Sequence, residues 1–230
     1  MSGKSITIKG PDGSFAGYLA TPASGTGPGI VVIQEIFGVN KVMRDVCDEL
    51  AAQGFVALAP DLFWRIEPGI DITDQTDAEW AKAFELFGKF KSDTGIVDIK
   101  ATIDTLRPLT TGKVGAVGYC LGGLMAYLTA CHTSADASVG FYGVAINTRL
   151  DDAKGIKKPL MLHIAGKDEF VNADAQKEMH AGLKDNANVT LHDYPECDHA
   201  FARTGGKHYD KQAAADANAR TLAFFKKHLS

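Results

Sequence analysis

Six consecutive residues, Gly118-Tyr119-Cys120-Leu121-Gly122-Gly123, put a thiol between glycines where an apolar run meets a helical pattern. This is the G-x-Nu-x-G spacing of a nucleophile elbow, a strained strand-to-helix turn whose glycines let the flanking chains approach. A helix starting at Leu121 directs its positive end at the sulfur and favours thiolate. Taken singly, a cysteine among glycines is ordinarily a packed thiol, Asp168 a surface or helix-start carboxylate, and His199 a surface imidazole. Their order along the chain argues otherwise. Asp168 ends His163-Ile164-Ala165-Gly166-Lys167-Asp168 and His199 ends Pro195-Glu196-Cys197-Asp198-His199, each just beyond an apolar stretch. Nucleophile, acid and base therefore follow one another at the ends of successive strands, an arrangement suited to acyl transfer through a covalent thioester. The other histidines, at 132, 163, 180, 192, 208 and 228, have no such position.

The elements that would hold these residues can be read from periodicity. Ser5–Lys9 alternates with period two, Pro11-Asp12-Gly13 is a turn and Phe15–Ala20 resumes the alternation, which predicts an opening hairpin. Ile30–Ile33 is a short continuous apolar run, the pattern of a strand buried on both faces. Helices are predicted over Lys41–Gln53, ended by Gly54, and over Asp77–Phe90, Ile96–Leu106, Leu121–Cys131, Ala175–Leu183 and Lys211–His228. Further strands are predicted at Phe55–Ala59, Val114–Gly118, Ala137–Phe141, Pro159–Ala165 and Val189–Tyr194, with an irregular excursion from Pro60 to Thr73. Strands alternating with helices imply an α/β class with a mostly parallel sheet covered by helices on both faces. With 230 residues and no linker or repeat, one domain spanning 1–230 is expected.

Composition narrows the partners. Hydrophobic residues make up 45% and charged residues 23%, the balance of a folded globular chain. A net charge of −4 lacks the basic footprint that phosphate backbones require, so no nucleic acid partner is expected. The N-terminal stretch has no apolar signal-peptide core and no run approaches a membrane span, so a cytoplasmic location with no membrane partner is expected. Cys47, Cys120, Cys131 and Cys197 show no CxxC spacing and are expected to be free thiols, with Cys47 and Cys131 inert in the core. Nothing has metal-ligand spacing, and neither metal nor cofactor is expected.

Several stretches together resemble the dienelactone hydrolase family of the α/β-hydrolase superfamily along essentially the whole chain. They are Gln34-Glu35-Ile36-Phe37-Gly38-Val39-Asn40, Ala59-Pro60-Asp61-Leu62, Val117 to Gly123, Tyr142-Gly143-Val144, Gly166-Lys167-Asp168 and His199-Ala200-Phe201-Ala202-Arg203. The resemblance implies an α/β-hydrolase fold and a carboxymethylenebutenolidase-like hydrolysis of an ester or enol-lactone, with Cys120, Asp168 and His199 as a catalytic triad. It further implies an oxyanion hole from the backbone N–H groups of Ile36 and Leu121, a catalytic role for Glu35 beside the thiol, and binding of a substrate carboxylate by Arg203. Phe37 and Tyr142, within matched stretches, are candidate pocket residues. Glu35 stands between Ile33 and Ile36, an apolar setting that suits a proton acceptor. The expected partner is a small ester or lactone, and the expected assembly a monomer or small homo-oligomer.

The chain also departs from the family pattern. Trp80 stands where members acting on dienelactone carry a second carboxylate-binding arginine, and Arg65 is the nearest candidate substitute. Phe84 and Phe87 replace Tyr and Trp, which implies a more apolar pocket. Cys197-Asp198 precedes the histidine where a glycine is usual. Two alternatives belong to other classes: a redox or electrophile-sensing thiol protein using Cys120 and Cys197 around His199, and a lactone-binding protein without catalysis.

Overall fold

The computed structural model describes residues 3–230 and divides into two compact units, the first ending at Ala116 and the second running from Val117 to Ser230. Strands β1 (Lys4–Gly10) and β2 (Gly13–Ala20) form the expected antiparallel hairpin, in register from Lys4 opposite Leu19 to Gly10 opposite Gly13. β2 continues antiparallel onto β4 (Val56–Pro60), which pairs in parallel with β3 (Gly29–Ile33). Every residue of β3 and β4 is buried, whereas β1 alternates and is largely exposed, as an edge strand should be.

The first unit also holds α1 (Lys41–Ala52), α2 (Asp77–Lys89) and α3 (Ser92–Leu106). Asn40 caps α1 by accepting from the Met43 amide at 3.2 Å. Thr76 caps α2 through the Glu79 amide at 3.2 Å, while Glu79 accepts from the Thr76 hydroxyl in return. α3 begins four residues before the expected Ile96, because its first turn is polar and glycine-containing and carries no apolar periodicity.

In the second unit β5 (Val114–Tyr119), whose first residues belong to the first unit, leads into α4 (Leu121–His132). β6 (Ala137–Phe141), β7 (Leu160–Ala165) and β8 (Val189–Tyr194) follow in parallel register, with α5 (Ala173–Leu183) and the closing α6 (Lys211–Leu229) between and after them. The strand order of the eight-stranded sheet is β1-β2-β4-β3-β5-β6-β7-β8. A ten-residue 3₁₀ stretch, Ile146–Gly155, was not expected: it is kinked at Arg149 and has no periodicity that sequence patterning detects. No helix among the described residues is long and apolar enough to cross a membrane.

Candidate active site

Cys120 lies between β5 and α4 with φ 56° and ψ −114°, a conformation rare for any residue with a side chain and held here by its surroundings. Its amide donates to the Phe141 carbonyl at 3.1 Å, and its own carbonyl accepts from Gly123 at 2.9 Å and Leu124 at 3.3 Å. A methyl group on Gly118 would overlap the Gly122 carbonyl, so the turn closes only with glycine there. α1, α2, α5 and α6 are each capped by a side-chain oxygen; α3 and α4 have no side-chain cap. The amide of Leu121 thus opens a helix whose positive end lies beside the sulfur.

Asp168 and His199 belong to the loops after β7 and β8. These loops are laced together: Gly166 donates to Tyr194 O at 2.8 Å and Lys167 to Cys197 O at 2.9 Å. A Cβ on Gly166 would strike the Pro195 Cα at 2.5 Å, so this approach also requires glycine. Across it, Asp168 Oδ2 and His199 Nδ1 are 2.8 Å apart, both side chains almost fully buried at 1% and 6% exposure. The other oxygen of Asp168 accepts from the amides of Phe170 (2.9 Å) and Val171 (3.2 Å), an Asx-type turn that fixes the carboxylate.

The remaining ring nitrogen, Nε2 of His199, is buried and makes no close hydrogen bond. Cys120 nevertheless acts on the ring. Burial alone would pull the imidazole down, but the charge of Cys120 and the hydrogen bond to Asp168 outweigh it and push it up to about 10. The other thiols differ. Burial pushes Cys47 and Cys197 up, and Cys131 up to about 12. All four cysteines are free.

Aromatic rings close around His199. Tyr142, with φ 38°, contacts it edge-on at 5.1 Å, and Phe170 does so at 4.8 Å while remaining 44% exposed. Phe170 was missed in the sequence; its only signal is its place two residues after Asp168, where an Asx turn would bind its amide. Arg203 is 7% exposed and its amide donates to Ala200 O at 2.9 Å, so it is not a solvent-facing arginine.

Within the first unit, Glu35 and Ile36 are buried at 2% and 5% exposure. Buried Gln34 orders that backbone, donating to Glu35 O at 3.3 Å and accepting from the Leu62 amide at 2.9 Å. Phe37, Trp80 and Phe84 are brought together: Trp80 stacks on Phe84 at 5.5 Å, meets Phe37 edge-on at 5.1 Å, and donates its indole N–H to Asp74 O at 3.0 Å. Phe87, on the same helix as Trp80, is 38% exposed. Arg65 is committed elsewhere. It forks onto the buried Asp98 at 2.9 and 2.7 Å and bonds Asp12 at 2.8 Å, so it is not a spare anchor for a substrate carboxylate.

A mostly parallel eight-stranded sheet, with a cysteine in the strained turn ahead of a helix and an acid and a histidine after later strands, defines an α/β-hydrolase. The sequence pattern of the dienelactone hydrolase family matches residues 15–229, and the chain belongs to that family. It is 49% identical over 222 residues to a provisionally named carboxymethylenebutenolidase of Azospirillum brasilense, covering 96% of each chain. It is 40% identical over 227 residues to the carboxymethylenebutenolidase of Pseudomonas sp. strain P51, covering 98% of this chain and 94% of that one. The crystal structure of a provisionally named dienelactone hydrolase from Klebsiella pneumoniae subsp. pneumoniae superimposes with a TM-score of 0.85 at 28% identity over 98% of both chains. The protein is an enzyme of the ester and lactone hydrolase class.

Proposed function

We propose that the protein hydrolyses an ester or enol-lactone, in the manner of a carboxymethylenebutenolidase, through Cys120, His199 and Asp168 working as one domain. The observation that carries this is the buried 2.8 Å pair of Asp168 and His199, in loops that follow the strand and turn presenting Cys120. The thiolate of Cys120 attacks the acyl carbon and forms a tetrahedral oxyanion. The Leu121 amide at the uncapped start of α4 supports one donor to that oxygen, and Ile36, from its place in the matched family stretch, is assigned the second.

When the intermediate collapses, the C–O bond breaks, the leaving alkoxide or enolate takes the proton of the His199 imidazolium, and an acyl-thioester remains on Cys120. His199 then removes a proton from water, hydroxide adds to the thioester, and thiolate leaves with release of the carboxylic acid. Asp168, held by two amides and the ring, keeps Nδ1 protonated and Nε2 aimed at the reacting groups. Glu35 is assigned a place beside the sulfur as proton acceptor whenever Cys120 is protonated, Arg203 a substrate carboxylate, and Phe37, Trp80, Phe84, Phe87 and Tyr142 the walls of the pocket. These assignments rest on their positions in the family pattern.

A redox cycle between Cys120 and Cys197 would need a second readily ionised thiol, and burial pushes Cys197 the other way. The test is alkylation and turnover. Iodoacetamide is expected to inactivate the enzyme with label on Cys120 and not on Cys47 or Cys131, and Cys120→Ala to abolish hydrolysis of p-nitrophenyl acetate. Full activity in that variant would reassign the nucleophile.

A further inference from the structure

His163 is a histidine inside β7, a strand buried along its whole length, and the chemistry above does not use it. Both its ring nitrogens are engaged: Nδ1 lies 2.9 Å from the Tyr194 hydroxyl and Nε2 3.0 Å from the Thr221 hydroxyl. Arg220 donates to the same Tyr194 oxygen at 3.1 Å. Arginine can only donate, so pairing the buried phenol proton as well requires it to point at Nδ1, which favours the neutral Nε2–H tautomer of His163. Burial, with the charges of His192 and Arg220, pulls this ring down to about 3, so it stays neutral.

Its contacts run to both halves of the reacting pair. Toward the nucleophile, the His163 ring packs on Phe141 at 4.3 Å, and the Phe141 carbonyl receives the Cys120 amide. The His163 carbonyl accepts from Tyr142 at 2.8 Å, fixing the residue whose ring meets His199 edge-on. Toward the base, Tyr194 begins the turn that delivers His199, accepting from Gly166 and from the Cys197 amide, and packs on Phe201 at 4.6 Å. A Leu or Val would fill this strand position without burying two polar nitrogens.

We infer that His163 is a positioning residue: its doubly hydrogen-bonded imidazole ties the shelf under Cys120 to the loop carrying His199 and so sets the distance between thiol and imidazole. The inference rests on the proposed triad. The groups facing the ring are Tyr194 and His192 from β8 and Arg220 and Thr221 from α6.

The test uses His163→Phe, which keeps a ring and removes both hydrogen bonds, His163→Gln, which can restore them, and Tyr194→Phe, which removes one. Each is assayed for kcat and KM on p-nitrophenyl acetate and for the pH dependence of iodoacetamide alkylation at Cys120. His163→Phe is expected to lower kcat about tenfold with KM within about twofold, as a displacement well under 1 Å would do. The alkylation pH profile should shift, with partial recovery in His163→Gln. A folded His163→Phe enzyme with wild-type kcat and an unshifted profile overturns the inference and leaves the triad standing. If His163→Phe does not fold, Tyr194→Phe decides by the same two measurements. Full hydrolysis by Cys120→Ala would overturn the triad and this inference together.

Discussion

Two of the buried carboxylates among the described residues, Asp98 and Asp168, differ in how their networks end. Asp98, with a fully buried side chain, receives the Arg65 guanidinium as a fork and the Trp64 indole N–H at 2.9 Å, while Arg65 also bonds Asp12 and lies 4.5 Å over the Trp64 ring. The hydrogen bond to Asp98 leads the causes that push Arg65 further up, so the guanidinium stays charged. Asp168 is held as firmly by two amides, but its cationic partner is an imidazole whose far nitrogen has no close hydrogen bond. A carboxylate met at both oxygens by a permanent cation holds a loop in place. A network left open at a single nitrogen can move a proton.

The comparison breaks most visibly if Asp168 loses its charge. Asp168→Asn should lower kcat about 10³–10⁴-fold, since an amide can favour the wrong tautomer of His199. Urea unfolding should show a far smaller penalty. A variant retaining a tenth or more of wild-type kcat would show that the carboxylate does not orient the base.

The reverse outcome is expected for the closed network. Arg65→Ala strands the buried Asp98 without its cation and should cost about 3–5 kcal/mol in urea unfolding. The folded variant should retain wild-type kcat and its preference between acid and ester substrates. A selective loss on anionic substrates would make Arg65 a substrate anchor after all.

Titration separates the two cations next. The His199 ring, pushed up to about 10, should remain imidazolium through neutral pH and deprotonate only in the alkaline range, as followed by NMR of its ring nitrogens. The sign follows from the causes. Burial favours the neutral ring, so removing the charge of Cys120 in Cys120→Ala should move the titration to lower pH, with Asp168 still opposing burial. An unmoved titration would mean that the sulfur does not face this ring.

Much of this contrast was legible in the sequence, but unevenly. β6 and β8 fall on the expected residues because short β-branched and apolar runs between turn residues have one good solution. The triad candidates were legible because motif and chain order restrict them jointly. The Asp98–Arg65 closure was not, since it joins α3 to an aperiodic loop 33 residues away in sequence and leaves no periodic trace. Phe170 was hidden for a related reason: its role comes from the loop geometry that brings it onto His199. The early start of α3 and the 3₁₀ stretch are set by tertiary contacts where patterning is silent.

The smallest expected effect concerns which substrates the open network serves. The proposal that Trp80 takes the place of a second carboxylate-binding arginine can be tested directly, and the Trp80 indole is engaged with Asp74, Phe84 and Phe37. With Arg65 closed onto Asp98, no swing of that side chain restores the missing charge. A charge-assisted hydrogen bond is worth about 1.5–3 kcal/mol, and each 1.4 kcal/mol is about tenfold. Trp80→Arg should therefore raise kcat/KM for a lactone carrying a carboxylate, relative to its methyl ester, by about one to two decades at most. The wild type should accept the two comparably. Arginine is a good helix former, so α2 should tolerate the change, though the lost stacking will lower stability somewhat and folding must be checked by circular dichroism. An unchanged acid-to-ester ratio in a folded Trp80→Arg enzyme would show that position 80 does not read the substrate's charge, leaving Arg203 to be tested next by the same substrate pair.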